Sequence, residues 1–326
     1  MTGKRFIKRA ITMTLLIVVA SLAGNTALAD KEATGSLRFA ILPIPDVLPY
    51  HLAQDKGYFH EAGIFVEALP VASALDRDQL MQAGQLDAML TEMINTASFN
   101  RNQTRVKIVC IARSPIAGAS LFSILSAPGS GINTVSDLAG IPIGISKNTI
   151  IAYITGRLLT TRGLAPEDIV ETSIPVIPER YQLLLQGQIK AATLPEPLAA
   201  SALAAGAIRI IDDSAYPKYS ASVISFSVAA LENKADAVRS FLKAWDRAAA
   251  EINASPDTFR PLLLQKIRVP KNIAGTFPIP SFPRSKVPDA DQWADVMDWM
   301  VSKGLLEKPL PYKRSVTSAF LPTGTR

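Results

Sequence analysis

The chain has few of the residues on which disulfide scaffolds, zinc sites and many hydrolases depend. Its 326 residues include one cysteine and two histidines. Cys110 has no second cysteine to bond and lies in an apolar, strand-like run, so we expect a buried small hydrophobe. His51 and His60 are nine positions apart, on different sides of one predicted helix. No Gly-x-Ser-x-Gly elbow or phosphate-binding loop occurs, and we expect no catalytic residue, no metal and no cofactor.

Long apolar runs are also scarce. One such run covers residues 10–24, which is too short to span a bilayer comfortably. Four basic residues precede the run, and an Ala-Leu-Ala cleavage site follows it and ends at Ala29. This pattern predicts an exported protein whose signal peptide, residues 1–29, is cleaved after Ala29. An uncleaved membrane anchor is the alternative interpretation.

The predicted mature chain lacks an excess of either charge. The full sequence has 34 Lys and Arg against 28 Asp and Glu. Removing residues 1–29 takes away four basic and no acidic residues, which leaves 297 residues with 30 basic and 28 acidic side chains. No basic stripe with interleaved aromatic residues occurs, so we expect no nucleic-acid partner.

Alternating strand and helix patterns dominate the rest of the chain. Apolar strand-like runs alternate with amphipathic helix patterns in two successive stretches, which predicts an α/β fold with two lobes and largely parallel sheets. The predicted first lobe covers residues 36–122 and the second covers 128–220. Residues 223–326 are predicted to return to the first lobe and to add the C-terminal helices.

Two strand-like segments bracket the second stretch. Residues 120–125 and 223–228 are predicted to be two crossover segments that together form a hinge. A Pro-Gly-Ser-Gly turn at 128–131 follows the first of them and favours a domain boundary there. Simple edge strands within one domain are the alternative.

An internal repeat points to candidate ligand-binding residues. Residues 80–92 and 184–196 each contain a helix end, a Gly-Gln turn, a short apolar strand and a glutamate that opens the next helix. Ligands of open α/β sheets bind beyond the carboxyl ends of the strands. Thr91 and Glu92 in one lobe, and Glu196 in the other, are therefore predicted to line a shared cleft. Either glutamate could instead only complement the dipole of its helix.

Further candidates lie between other predicted strands and helices. Ser146, Asn148 and Thr149 open a helix of the second lobe, where hydroxyls and free backbone amides can accept an anion. Asp46 and Ser114 occupy the corresponding loops of the first lobe. Capping of the helix by Asn148 or Thr149 is compatible with ligand binding, and Asp46 is also well placed to cap its own helix.

The segment Asp46–Glu67 is predicted to form a helix, a glycine stop and a strand. It closely resembles the opening motif of the NMT1/SsuA/THI5-like solute-binding proteins. The residues that carry the resemblance are Pro49-Tyr50, Ala53, Gly57-Tyr58-Phe59, Gly63-Ile64 and Val66-Glu67.

The resemblance extends over most of the predicted mature chain. Four further segments match the family in order and spacing: Gly84–Ala88, Asp137–Gly140, Leu194–Pro197 and Trp293–Leu305. The resemblance implies a type II periplasmic-binding-protein fold and a periplasmic monomer. Its implied partners are a small-molecule solute and the inner-membrane permease of an ABC importer.

Charge considerations favour a nitrogen-containing organic solute, aminopyrimidine-like or zwitterionic. If Glu92 and Glu196 both point inward, the cleft favours a solute with hydrogen-bond donors, such as an aminopyrimidine or a zwitterion. The alternative is an alkanesulfonate-type or nitrate-type anion, which requires these two glutamates to be turned away or paired. A THI5-like enzyme that synthesises a pyrimidine is a further alternative, against which the isolated Cys110 and the export signal argue. The last alternative is a ligand-sensing domain that reports to a receptor.

Overall fold

The computed structural model describes residues 35–71 and 73–323. The predicted signal peptide and its cleavage site lie outside the described residues. No helix within the described ranges combines the length and apolarity that crossing a membrane requires.

The first of two five-stranded sheets has the strand order β2-β1-β3-β10-β4. Strand β1 is parallel to β2 and β3, whereas β10 is antiparallel to both β3 and β4. The strands are β1 Ser36–Ile41, β2 Phe65–Pro70, β3 Ala88–Glu92, β4 Val106–Arg113 and β10 Ser222–Ser227.

The second sheet repeats this arrangement with the strand order β7-β6-β8-β5-β9. Strand β6 is parallel to β7 and β8, whereas β5 is antiparallel to β8 and β9. The strands are β5 Phe122–Ser126, β6 Pro142–Ile145, β7 Val170–Ser173, β8 Ala191–Pro195 and β9 Ile208–Asp212. The α/β class and the two-lobed architecture predicted from the sequence are confirmed.

The two crossings lie beside the segments predicted for them. Most of 120–125 and of 223–228 forms strands β5 and β10, each paired on both sides within its own sheet. The apolar, strand-like pattern of these segments therefore reflects sheet membership. The chain passes between the sheets in residues 114–121 and returns in 213–221. Strand β5, at the border between the two predicted lobe ranges, belongs to the second sheet.

Helices cover the faces of both sheets. The helices of the described residues are α1 Leu48–Asp55, α2 Tyr58–Glu61, α3 Ala74–Gln82, α4 Met93–Phe99, α5 Ile150–Thr161, α6 Ile177–Leu185, α7 Leu198–Ala204, α8 Val228–Asn233, α9 Ala235–Ala254, α10 Arg260–Lys266, α11 Ala290–Ser302 and α12 Tyr312–Ser315.

Helix α11 packs against both lobes. Its Trp293 and Trp299 belong to one buried cluster with Met93 of α4 and Tyr153 of α5. The Tyr153 and Trp299 rings meet edge to face, with their centroids 5.5 Å apart. A continuous apolar contact therefore joins a helix of the first lobe to a helix of the second.

Candidate functional site

The carboxyl ends of the parallel strands carry the residues predicted from the sequence. Because β10 is antiparallel to both β3 and β4, β4 runs in the same direction as β1 and β3. Strands β6, β7 and β8 share one direction in the second sheet. The predicted residues lie at or just after these ends: Asp46 after β1, Thr91 and Glu92 in β3, Ser114 after β4, Ser146, Asn148 and Thr149 after β6, and Glu196 after β8.

Asp46 forms a buried ion pair that the sequence did not predict. Its Oδ1 lies 3.1 Å from Nη1 of Arg113, the last residue of β4, and both residues are buried. Arg113 also donates from Nη2 to the carbonyl oxygen of Ser120, at 3.1 Å. The guanidinium thus ties the turn after β1 to the first crossing segment. The Asp46 side chain makes no capping hydrogen bond to the helix that follows.

Glu196 of the second lobe contacts the same crossing segment. Its Oε1 accepts a hydrogen bond from the Ser120 hydroxyl at 3.3 Å. Its Oε2 accepts from the backbone amide of Ala200 in α7 at 3.1 Å. Burial raises the pKa of Glu196, and the Ala200 amide and the nearby Arg113 charge oppose the shift. The carboxylate therefore interacts with the start of α7 and with the first crossing segment.

Glu92 has a cationic neighbour within its own lobe. Its Oε2 lies 3.7 Å from Nη1 of Arg77, a fully buried residue of α3. Arg77 also donates from Nε to Asp78 at 2.8 Å and from Nη1 to the carbonyl oxygen of Leu90 at 3.1 Å. Burial raises the pKa of Glu92, and the Arg77 charge opposes this. The charges of Asp78 and Asp46 add to the rise.

The two predicted hydroxyl residues of the first lobe differ in exposure. Thr91 is fully buried, and its Oγ1 has no hydrogen-bond partner among the described residues. The same holds for the hydroxyl of buried Ser222, which pairs in register with Glu92. Ser114 is half-buried and directly follows Arg113. Unpartnered polar groups therefore lie near the carboxyl end of β3.

In the second lobe, the loop after β6 is organised by Thr149. The Thr149 hydroxyl accepts from the backbone amide of Ile151 at 3.1 Å and donates to the carbonyl oxygen of Ser146 at 2.7 Å. Thr149 is thus the N-cap of α5. Asn148 is exposed and left-handed, with φ 60°. The capping predicted for Thr149 is observed.

An arginine lies beneath this loop. Arg180 of α6 is fully buried and donates from Nη1 to the Ser146 hydroxyl at 3.0 Å and to the carbonyl oxygen of Ile174 at 2.6 Å. Its aliphatic stem crosses Gly144, where an added Cβ would lie 3.2 Å from the Arg180 Cδ. Burial lowers the pKa of Arg180 to about 10, so the guanidinium stays charged at neutral pH.

The predicted residues fall into two groups. The first, here called the crossing cluster, consists of Asp46, Arg113, Ser120 and Glu196, with Glu92 nearby. The second, here called the Ser146 loop, covers residues 146–149 and rests on Arg180. No hydrogen bond or ion pair between described residues joins the two groups.

Three arginines were missed by reasoning from sequence. Arg113 carries no motif, and its role follows from the position of β4 in the sheet. Arg77 and Arg180 had an available signal, because each lies seven residues before the glycine of its Gly-Gln turn, at Gly84 and Gly187. The repeat therefore includes a buried arginine in each lobe.

A cavity of about 520 Å³ lies away from these strand ends. Its lining includes Gly35 and Phe65, next to or at the amino ends of β1 and β2, together with His60. It is therefore at the opposite edge of the first sheet from the crossing cluster.

Comparison with known families agrees with this architecture. The sequence profile described as NMT1/THI5 like matches residues 44–259, which include most of both sheets and both crossing segments. The chain belongs to the NMT1/THI5-like family. The resemblance predicted from the opening motif is thereby confirmed.

Individual relatives and solved structures have low sequence identity to this chain. This chain is 29% identical over 151 residues to the 4-amino-5-hydroxymethyl-2-methylpyrimidine phosphate synthase THI13 of Saccharomyces cerevisiae. The match covers 46% of this chain and 42% of the yeast protein. The periplasmic aliphatic sulphonate binding protein SsuA of Escherichia coli superposes with a TM-score of 0.73 at 17% identity, over 90% of this chain and 95% of SsuA.

A second structure shares the fold to a similar degree. The alkanesulfonate-binding protein SsuA of Xanthomonas axonopodis pv. citri, bound to MOPS, superposes with a TM-score of 0.70 at 16% identity. The superposition covers 87% of this chain and 98% of the Xanthomonas protein. At these identities the similarity establishes the two-lobed fold of periplasmic binding proteins.

The cysteine and the partly buried histidine of this NMT1/THI5-like protein have environments unsuited to reactive groups. Cys110 is buried in β4, and burial raises the pKa of its thiol, which disfavours the thiolate. Burial and the Lys266 charge lower the pKa of His51 to about 4, so its imidazole is neutral at neutral pH. The charged groups that act on His51 are Lys266 and Asp55, which lie outside the crossing cluster.

Proposed function

We propose that this protein is an exported, periplasmic solute-binding subunit of an ABC importer, and that it captures a small organic solute between its two lobes. The observation that carries the proposal is the crossing cluster, in which side chains from both sheets converge at the carboxyl ends of strands. Arg113 of β4 and Glu196 after β8 both bond to Ser120, which lies between the two sheets.

The connection between the lobes supports a closing motion. The carboxylate of buried Asp213, in the second crossing segment, accepts from the backbone amides of Leu121 at 2.9 Å and Phe122 at 3.2 Å in the first. It also accepts from the hydroxyl of Ser220 at 2.5 Å. Two short segments tied in this way form a compact hinge about which two rigid sheets rotate. Closure on a solute presents the closed form to the permease.

The placement of the two glutamates bears on the kind of solute. The sequence predicts that the cleft can bind an anionic solute only if Glu92 and Glu196 are paired or turned away. Glu92 lies near the Arg77 guanidinium, and Glu196 accepts hydrogen bonds from Ser120 and Ala200. The negative charge that favoured an aminopyrimidine or a zwitterion is thus partly offset, since Arg77 is shared between Glu92 and Asp78 and Glu196 accepts hydrogen bonds only from neutral groups. Anions of the kind that the SsuA proteins are named for, and pyrimidine phosphates like the named product of the yeast enzyme, become candidates.

Catalysis is the competing function, because the yeast relative is named as a synthase. We propose that this chain has no catalytic activity of its own. The burial of Cys110 and the low pKa of His51 both support this, since neither supplies a thiolate or a general base in the crossing cluster. His60, the other histidine, lies at the cavity on the opposite edge of the first sheet.

Two measurements on the mature protein test the proposal. A thermal-shift screen against a library of amines, amino acids, pyrimidines, sulfonates and other organic anions should identify a stabilising solute. Saturation at 100 times the dissociation constant stabilises by about 2.7 kcal/mol. Small-angle scattering should then show a smaller radius of gyration with that solute, and mass spectrometry should recover the solute unchanged. Binding without compaction, or conversion of the solute to product, would contradict the proposal.

A further inference from the structure

Arg180 is a buried cation without an anionic partner. Its Nε and Nη2 atoms have no hydrogen-bond partner among the described residues, although the side chain is fully buried. No carboxylate of the described residues forms an ion pair with it, and burial is the sole influence on its pKa. Burying a charged group without a counter-charge is costly, and natural proteins normally pair such groups. Arg180 therefore needs an explanation that the fold alone does not provide.

The repeat shows what is missing around Arg180. Arg77 occupies the equivalent position in the first lobe, and its neighbours Asp78 and Glu92 lie 2.8 Å and 3.7 Å from its guanidinium. The equivalent positions of the second lobe, counted from the glycine of each Gly-Gln turn, hold Tyr181 and Pro195. Counted in this way, the second lobe has the buried arginine of the repeat but no carboxylate at either position. Its glutamate, Glu196, lies one residue further on and bonds to Ser120 and Ala200 instead.

The uncompensated charge lies beneath a loop that is itself suited to an anion. Arg180 Nη1 donates to the hydroxyl oxygen of Ser146 at 3.0 Å. The Ser146 hydroxyl in turn donates a long hydrogen bond of 3.3 Å to the carbonyl oxygen of Pro175. Because its oxygen accepts from Arg180, this hydroxyl can act only as a donor to a bound anion, which would take the place of the distant Pro175 carbonyl as its acceptor. The N-terminus of α5 begins at the same loop, capped by Thr149, and adds a positive end of a helix dipole.

We propose that the solute carries an anionic group, a sulfonate, carboxylate or phosphate, which binds at the Ser146 loop with Arg180 as its counter-charge. This inference rests on the proposed solute-binding function and specifies its solute class. Arg180 acts mainly through the Ser146 hydroxyl, which it orients as a donor, and through its charge. The rest of the solute, which carries no further negative group, extends toward the carboxylates of the crossing cluster in the other lobe.

Matched pairs of compounds test the requirement for charge. The pairs are butanesulfonate with butanesulfonamide, butyrate with butyramide, and 4-amino-5-hydroxymethyl-2-methylpyrimidine phosphate with its unphosphorylated alcohol. Titration calorimetry at constant ionic strength should show binding of at least one anion, at least about ten-fold tighter than its neutral partner, since hydrogen bonds to charged groups contribute more than neutral ones. The anion that binds identifies the source of the charge. Failure of all three anions to bind, or equal binding of both members of every pair, would overturn the proposal.

Variants of Arg180 and of an arginine outside the candidate site separate a binding role from a structural one. Arg180→Met should lower the affinity for the anion by about ten-fold or more. The unliganded variant should be as stable as the wild type or more stable, because an uncompensated buried charge is removed. Arg284→Met is the control: it should lose stability by leaving the carboxylate of buried Asp246 without its cation, yet keep the preference for the anion, because neither residue belongs to the candidate site. The opposite pattern, in which Arg180→Met keeps its anion affinity, would refute the proposed role of Arg180.

A second variant covers the case in which Arg180→Met does not fold. Ser146→Ala leaves the Arg180 charge in place but removes the donor that faces the anion, so anion affinity should fall while the neutral partner is unaffected. An equal loss for both partners would contradict the proposal. The outcomes remain distinct from those of the proposed function. If an amine or a neutral solute closes the lobes, the transport function stands and the anionic class fails; if no library solute closes them, the function itself fails.

Discussion

Asp46 and Arg113 form a buried ion pair across 67 positions of the chain, with Oδ1 and Nη1 separated by 3.1 Å. The pair joins the turn after the first strand of the first sheet to the end of β4. Through the second Nη atom of Arg113 it also reaches the carbonyl of Ser120, where the chain leaves for the second sheet. The pair thus has a role in stability that does not depend on any solute.

Breaking this pair should destabilise the protein strongly. Asp46→Ala leaves the buried Arg113 without its counter-charge, which typically costs about 3–5 kcal/mol. Chemical denaturation followed by tryptophan fluorescence measures the change. The control is Lys266→Ala, which breaks the partly exposed pair with Asp55 at 3.4 Å and should cost no more than about 1 kcal/mol. Similar losses for both variants would show that the Asp46 pair contributes no more than a surface pair.

The hinge carboxylate should make stability depend on pH. Burial raises the pKa of Asp213 from 3.8 to about 6, although Ser220 and the amides of Leu121 and Phe122 oppose the rise. Between these two values the folded protein holds the proton more tightly than the unfolded chain does. The Asp213 contribution to the free energy of unfolding is therefore largest below pH 3.8 and is lost as pH rises through about 6. Its full size is at most about 3 kcal/mol.

Comparison with Asp213→Asn isolates this contribution. Unfolding free energies of both proteins should be measured from pH 4 to pH 7. The wild-type advantage over Asp213→Asn should shrink with rising pH, because the asparagine does not titrate. Burial also raises the pKa values of Glu92 and Glu196, but these groups are common to both proteins and largely cancel in the difference. A difference that is constant or that grows with pH would contradict the raised pKa of Asp213.

Two helix caps should differ in their effect on solute binding. Thr149→Ala removes the side chain that accepts from the Ile151 amide at the start of α5, at a cost of about 1 kcal/mol. Asp289→Ala removes the capping box of α11 and should cost a similar amount. We expect Thr149→Ala to lower the affinity for a solute found in the thermal-shift screen, and Asp289→Ala to leave that affinity unchanged. Equal affinities of the two variants would remove Thr149 from the candidate site.

Export and cleavage should depend on Ala29. The intact mass of the protein from a periplasmic extract should correspond to a chain that begins at Asp30. Ala29→Glu should block cleavage, because signal peptidases require a small residue there, whereas Ala33→Glu, four positions later, should leave the product otherwise unchanged. A full-length wild-type protein in the membrane fraction would favour the uncleaved anchor instead.

Much of the local structure could be predicted because it depends on neighbours in sequence. Asn148 or Thr149 was predicted to cap the helix that follows, and Thr149 does so, with α5 beginning at the next residue. The first helix was predicted to continue to Gly63, but the chain breaks at Gly57, which adopts φ 72° and separates α1 from α2. Apolar spacing alone gave no sign of that break, since Phe59 continues the apolar face on the second short helix.

By itself, the sequence determined the alternation of strands and helices, the family, the repeat and the Thr149 cap. Each of these depends on residues within a few positions of one another or on their order along the chain. Only the tertiary structure decided the partners of the charged residues. Arg113 meets Asp46, Arg77 meets Glu92, and Arg180 meets no carboxylate of the described residues, because strand order and helix packing bring distant segments together. The net charge that a solute meets depends on these long-range pairings, and it cannot be predicted from the spacing of residues in the sequence.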